Sequence, residues 1–178
     1  MNFGLSREIY GVPWCVDAIT YQSLNAILTN SRNGVKLELP EVKYNSVDLL
    51  VINSETRLIQ REWQLNNSND FEGIGVLNLN GAITKGGGQS SSGMIEMSNS
   101  ALAMSADKRI KGFIMLGDSG GGSTSAVRIM ADTINKIKQT KPFYTLVQKE
   151  SVLASAAYGI AAPSTKIYAE DGMSIVGS

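Results

Sequence analysis

The sequence predicts an α/β fold with a mostly parallel sheet and crossover helices, on three observations. From residue 73 onward, short apolar runs alternate with segments of helical spacing: "GIGVLNLNGAI" (73–83), "IKGFIML" (110–116), "FYTLV" (143–147) and "TKIYA" (165–169) are the runs. Strand, helix and strand joined by short connections imply parallel crossover units. The chain has 178 residues, 43% hydrophobic and 18% charged, enough for one domain with a genuine core and unlike a disordered chain. Glycine- or serine-bearing segments follow two of the predicted strands at their carboxyl ends, where open α/β sheets place their ligands.

At the N-terminal side, "DAITYQSLNAILTNSR" (17–32) predicts a helix with Asp17 as N-cap and Leu24, Ile27 and Leu28 on one face. The stretch 33–64 mixes alternation with helical spacing and supports no single assignment. "LNNSND" (65–70) is polar and turn-rich and reads as a linker. The expected division is therefore a helical and mixed extension, 1–70, followed by a regular domain, 71–178. Within that domain, "TKGGGQSSSG" (84–93) is too small and polar to pack and predicts a loop. Met94, Met97, Ala101 and Met104 recur at three- and four-residue intervals and predict the buried face of a helix. Val127, Met130, Ile134 and Ile137 predict a second one, which ends before Pro142.

Composition excludes several classes of function. Formal net charge is +0, which gives no electrostatic case for a nucleic-acid or membrane-surface partner. No apolar run approaches the roughly 18 residues that cross a bilayer. The opening "MNFGLSREIYGVPW" lacks the charged-then-apolar order of a secretory signal. A single cysteine, Cys15, excludes an internal disulfide and fits a reducing compartment; it reads as an ordinary core or surface thiol. The chain contains no histidine, so a nucleophilic serine here cannot use imidazole as its base.

Two motifs carry chemistry. "DSGGGS" (118–123) places three glycines after a strand and ahead of a helix, where their N–H groups can point into a cleft and bind an anion. The spacings of nucleotide-binding loops are absent, which leaves an oxyanion hole or an ordinary glycine-rich turn. "VLASAAYGIAA" (152–162) sets Ser155 among small residues, as a nucleophile beside helix N–H groups or as the N-cap of a buried helix. It is not the G-x-S-x-G elbow of α/β-hydrolases.

"GVLNLNGAI", "IKGFIMLGDSGGGSTSAV", "KPFYTLVQKESVLASAAYGIAAPSTKIYA" and "SIVGS", in that order over about 73–178, resemble the S49 peptidases. These include signal peptide peptidase A and head-maturation proteases of tailed phages, and share the Clp protease/crotonase-like fold. "EIYGVPWCVDAITYQSLNAIL" resembles the leader of the phage-type members. The resemblance implies a serine endopeptidase with Ser155 as nucleophile, and oxyanion donors at Gly121 or Gly122, the second preferred, and at Ala156. It implies no cofactor and no metal, a protein or peptide substrate such as a capsid or scaffold protein, and homo-oligomers of the full-length protein. The implied location is the cytoplasm of a bacterial host, or a phage procapsid. Gly120 replaces the family's usual proline, which leaves this loop less rigid when empty. The family's base is a lysine well after the serine, which falls past Ser178. This chain is accordingly expected to be truncated at its C-terminus, folded and almost inactive. Lys85 and Lys166 are the internal substitutes and read as solvated surface charges. The alternatives are an oligomerising assembly module of the same fold and acyl-CoA chemistry on a thioester.

Overall fold

A computed structural model describes residues 11–16, 18–35, 47–52, 57–60, 72–87 and 91–177. In chain order the elements are β1 (Trp14–Val16), α1 (Ala18–Arg32), β2 (Val47–Ile52), β3 (Arg57–Gln60), β4 (Glu72–Asn80), β5 (Ala82–Thr84) and β6 (Ser91–Gly93). There follow α2 (Met94–Ser105), β7 (Ile110–Asp118), β8 (Gly121–Ser123), α3 (Thr124–Ile137), β9 (Phe143–Val147), β10 (Val152–Ala154), α4 (Ala156–Ala161), β11 (Lys166–Ala169) and β12 (Ile175–Gly177). The main sheet has six strands in the order β11-β9-β7-β4-β2-β3. β4, β7, β9 and β11 are mutually parallel, with α2, α3 and α4 in the crossovers. β2 and β3 close one side antiparallel. A smaller sheet runs β1-β8-β5-β6, and β10 pairs with β12.

The predicted apolar stripes form the core. Met94, Met97, Ala101 and Met104 of α2 are 0–1% exposed, and Met130, Ile134 and Ile137 of α3 are buried beside them. They pack on the face of β4, β7 and β9 that carries Leu77, Leu79, Phe113, Met115, Phe143 and Val147. Full burial of such side chains is worth about 1.5–3 kcal/mol each. The rings of Phe113 and Phe143, on neighbouring strands, stack at 6.0 Å.

Several expectations are corrected. The predicted strand 73–83 breaks at Gly81: β4 stays in the main sheet and β5 enters the small one. The end of the predicted loop 84–93 is strand β6, held to β5 by backbone pairing that needs no packing side chain. The unassigned stretch contains β2 and β3, and the glycine motif contains β8. β1 and β2, both before the expected linker, pair with strands after it, and β3 pairs with β2. Helix α1 matches its prediction, with Leu24, Ile27 and Leu28 half-buried; Asp17 and the linker 65–70 lie outside the described residues.

Candidate active site

The two sequence motifs meet where β7 and β9 end. After Asp118 the chain turns, and Ser119 bridges Leu153 in parallel. The Ser119 N–H donates to the Val152 carbonyl, and the Ala154 N–H donates to the Ser119 carbonyl at 3.1 Å. The Val152 N–H donates to Asp118 Oδ1 at 3.2 Å. β10 is thereby zipped onto the loop leaving β7, which delivers Ser155 beside the glycines.

Ser155 joins β10 to α4 with φ 57° and ψ −120°. A non-glycine residue in such a region stores roughly 1–3 kcal/mol of strain and persists only where its surroundings hold it. Its N–H donates to the Gly177 carbonyl at 2.8 Å, and its carbonyl accepts from the Gly159 N–H at 3.0 Å. Its hydroxyl makes no capping bond to α4 and has no hydrogen-bond partner among the described residues. Ser155 thus occupies the N-cap position of α4 without making the side-chain bond of a capping serine.

Gly121 has φ +106°, and a Cβ built there would lie 2.3 Å from the Cys15 carbonyl oxygen and 3.1 Å from both the Ala156 nitrogen and Ser155 Cβ. Four residues thus converge on one point, and only glycine fits it. Gly122 is as tightly placed, since its Cβ would lie 2.1 Å from the Ile83 carbonyl oxygen of β5.

The candidate donors differ in availability. The Gly121 N–H is engaged by Ser119 Oγ at 3.1 Å, and that hydroxyl donates in turn to the Gly81 carbonyl. Gly121 therefore contributes conformation rather than a donor. Ala156 is the first residue of α4, and its N–H has no partner among the described residues. For Gly122, the ladder with β1 decides. The Thr124 N–H donates to the Pro13 carbonyl at 3.2 Å, and Cys15 lies opposite Gly122. Hydrogen-bonded pairs recur every second residue in an antiparallel ladder, so the Gly122 N–H faces Cys15.

The lysines stand elsewhere. Lys85 is exposed in the turn after β5. Lys166 is exposed opposite Tyr144, where β9 and β11 begin, at the other end of the strands from Ser155. Burial holds the Lys141 ammonium below its usual range, but that side chain donates to the Asp107 carbonyl at that same far end. Among the described residues no cluster of metal-binding side chains occurs, and no helix is long and apolar enough to cross a membrane. Cys15 is exposed, and its role beside Gly121 is through its backbone. No local signal announced this, because β1 and β8 are distant in sequence.

No protein family profile and no curated protein matches the chain. Among solved structures it is similar to an enoyl-CoA hydratase/isomerase family member at 14% identity and a TM-score of 0.42, over 54% of this chain and 43% of that one. It is also similar to ThnE from S. clavuligerus at 11% identity and a TM-score of 0.37, over 54% of this chain and 42% of that one. The matched part spans less than half the length of either.

Proposed function

We propose that the chain carries the nucleophile and oxyanion donors of an S49-type serine peptidase on a Clp protease/crotonase-like fold. The observation that carries this reading is Ser155, strained, uncapped and set against Gly121 and the Ala156 N–H, which has no partner among the described residues. Ser155 Oγ attacks a peptide carbonyl as a base takes its proton. The resulting oxyanion is stabilised by the Ala156 N–H and, once it is free of β1, the Gly122 N–H. The amine leaves with a proton returned by the base, and water then hydrolyses the acyl-enzyme. The base this reading calls for is a lysine, as the S49 resemblance implies; the chain has no histidine to serve instead. Such a base acts near neutral pH only when desolvation lowers its pKa. The substrate is a protein, with capsid or scaffold processing in a bacterial host as the assigned task and a homo-oligomer as the working form.

A fluorophosphonate probe, applied to the protein together with the residues its gene encodes after Ser178, tests the assignment. Peptide mapping is expected to find the label on Ser155 and none in Ser155→Ala. Label on Ser119, Ser123 or Ser151 instead overturns it. The 178-residue chain alone is expected to turn over peptides about 10²–10⁴-fold more slowly than the extended one, the usual worth of a general base.

A further inference from the structure

We propose that β1 is a tethered occupant of the peptide-binding edge, so that a substrate strand reaches Ser155 only when Trp14–Val16 leaves β8. The proposal rests on the peptidase reading for its functional meaning, and on the following geometry for the occupancy. β8 pairs with β5 on one side and antiparallel with β1 on the other: Trp14 opposite Ser123, Cys15 opposite Gly122, Val16 opposite Gly121. Without β1, that second side is an open strand edge, which accepts an extended peptide through main-chain hydrogen bonds.

The edge adjoins the serine. The point 2.3 Å from the Cys15 carbonyl oxygen is 3.1 Å from the Ala156 nitrogen and from Ser155 Cβ. A peptide carbonyl of the chain itself thus stands beside the candidate nucleophile and donor. Because residues 121 and 122 are glycines, no side chain of β8 at those two positions separates this carbonyl from the serine turn.

β1 also lies outside the core. It has three residues, none buried and none in the core cluster. Beyond its ladder, the adjoining Pro13 carbonyl accepts from the N–H and Oγ1 of Thr124, at 3.2 and 2.9 Å. Lifting β1 therefore uncovers strand edge without dismantling the core. A competing peptide that supplies the same backbone bonds replaces it once its concentration offsets the advantage of the tether.

The experiment compares the wild type with Cys15→Pro, which removes the N–H that Cys15 presents to Gly122, both with the residues encoded after Ser178. Release of β1 is read by amide hydrogen exchange at Gly122 and Thr124, independently of any reaction. Fluorophosphonate labelling of Ser155 is expected to accelerate about tenfold or more, because a strand held by a few backbone bonds leaves only a minor open population. A synthetic peptide of residues 11–17 added in trans is expected to restore both protection and the slow rate. Faster exchange with an unchanged labelling rate overturns the proposal. In case the proline variant does not fold, Trp14→Cys/Ser123→Cys in a Cys15→Ser background locks β1 when oxidised. Labelling is then expected to stop and to return on reduction, and equal labelling in both states overturns the proposal. Absence of Ser155 label in every form overturns the peptidase reading instead. The trans peptide then decides occupancy alone: restored protection at Gly122 supports it, and no protection overturns it.

Discussion

Where β7, β9 and β11 begin, Asp107 accepts hydrogen bonds from the Arg109 N–H, Nε and Nη2, and its carbonyl accepts from Lys141 Nζ. There too the Phe113 N–H donates to the Pro142 carbonyl and the Thr165 N–H to the Phe143 carbonyl, at 2.9 and 2.7 Å. Where those strands end, the described non-glycine residues with positive φ, Glu150 and Ser155, are found together with Gly121 at φ 106°. That end also holds a donor and a hydroxyl without partners among the described residues. One end of the sheet ties the strands together with paired groups and relaxed backbone; the other keeps strain and unused polar groups. The core between them joins both ends, and strain of this kind persists only where the surroundings hold it.

Changes at the strained end are expected to have the largest effect on folding where they add atoms. Gly122→Ala places a Cβ against the Ile83 carbonyl of a paired strand, which cannot yield as a flexible side chain would. A loss of about 3 kcal/mol or more is expected in urea unfolding; a loss below 1 kcal/mol would show that β8 and β5 separate easily. Ser119→Ala removes the hydroxyl that joins the Gly81 carbonyl to the Gly121 N–H. It is expected to cost about 1–3 kcal/mol and to slow Ser155 labelling, since Gly121 loses its tether.

At the relaxed end, Asp107→Asn is expected to cost about 1 kcal/mol, after discounting for solvent screening, with Ser155 labelling unchanged. The hydrogen bond from Arg109 holds the Asp107 carboxyl below its usual range. Its contribution is therefore complete above the unfolded value of about 3.9 and is lost as pH falls through the lowered folded value. Acid unfolding curves of wild type and Asp107→Asn should converge there. The smallest expected change is a gain: Ser155→Gly relieves φ 57° and is expected to stabilise the fold by up to about 1 kcal/mol while abolishing labelling. A destabilised Ser155→Gly would mean that the backbone at 155 is not strained.

The sequence discloses this molecule unevenly. The stripes Met94–Met97–Ala101–Met104 and Met130–Ile134–Ile137 are legible because burial imposes a local period on the residues of one helix. Strands β7, β9 and β11 are legible because they are short apolar runs between breakers. The meeting of "DSGGGS" with the Ser155 segment follows from topology, since both leave the same ends of parallel strands. The pairing of β1 with β8 is not legible: a three-residue strand with no buried side chain imprints no period, and its partner lies more than a hundred residues away. Nor does "ASAA" disclose the φ of Ser155. Small neighbours indicate room, whereas the backbone at Ser155 is tied to Gly177, which lies beyond the segment.

The bond from the Ser155 N–H to the Gly177 carbonyl also sets an order in time. A chain emerges from the ribosome N-terminus first, at about 5–20 residues per second. β1 and β8 are both made before β12, so their pairing does not wait for the Gly177 carbonyl, whereas the bond to the Ser155 N–H does. A chain stopped before β12 therefore lacks the bond from the Ser155 N–H to the Gly177 carbonyl, and the backbone at Ser155 gains it only once that segment has been made.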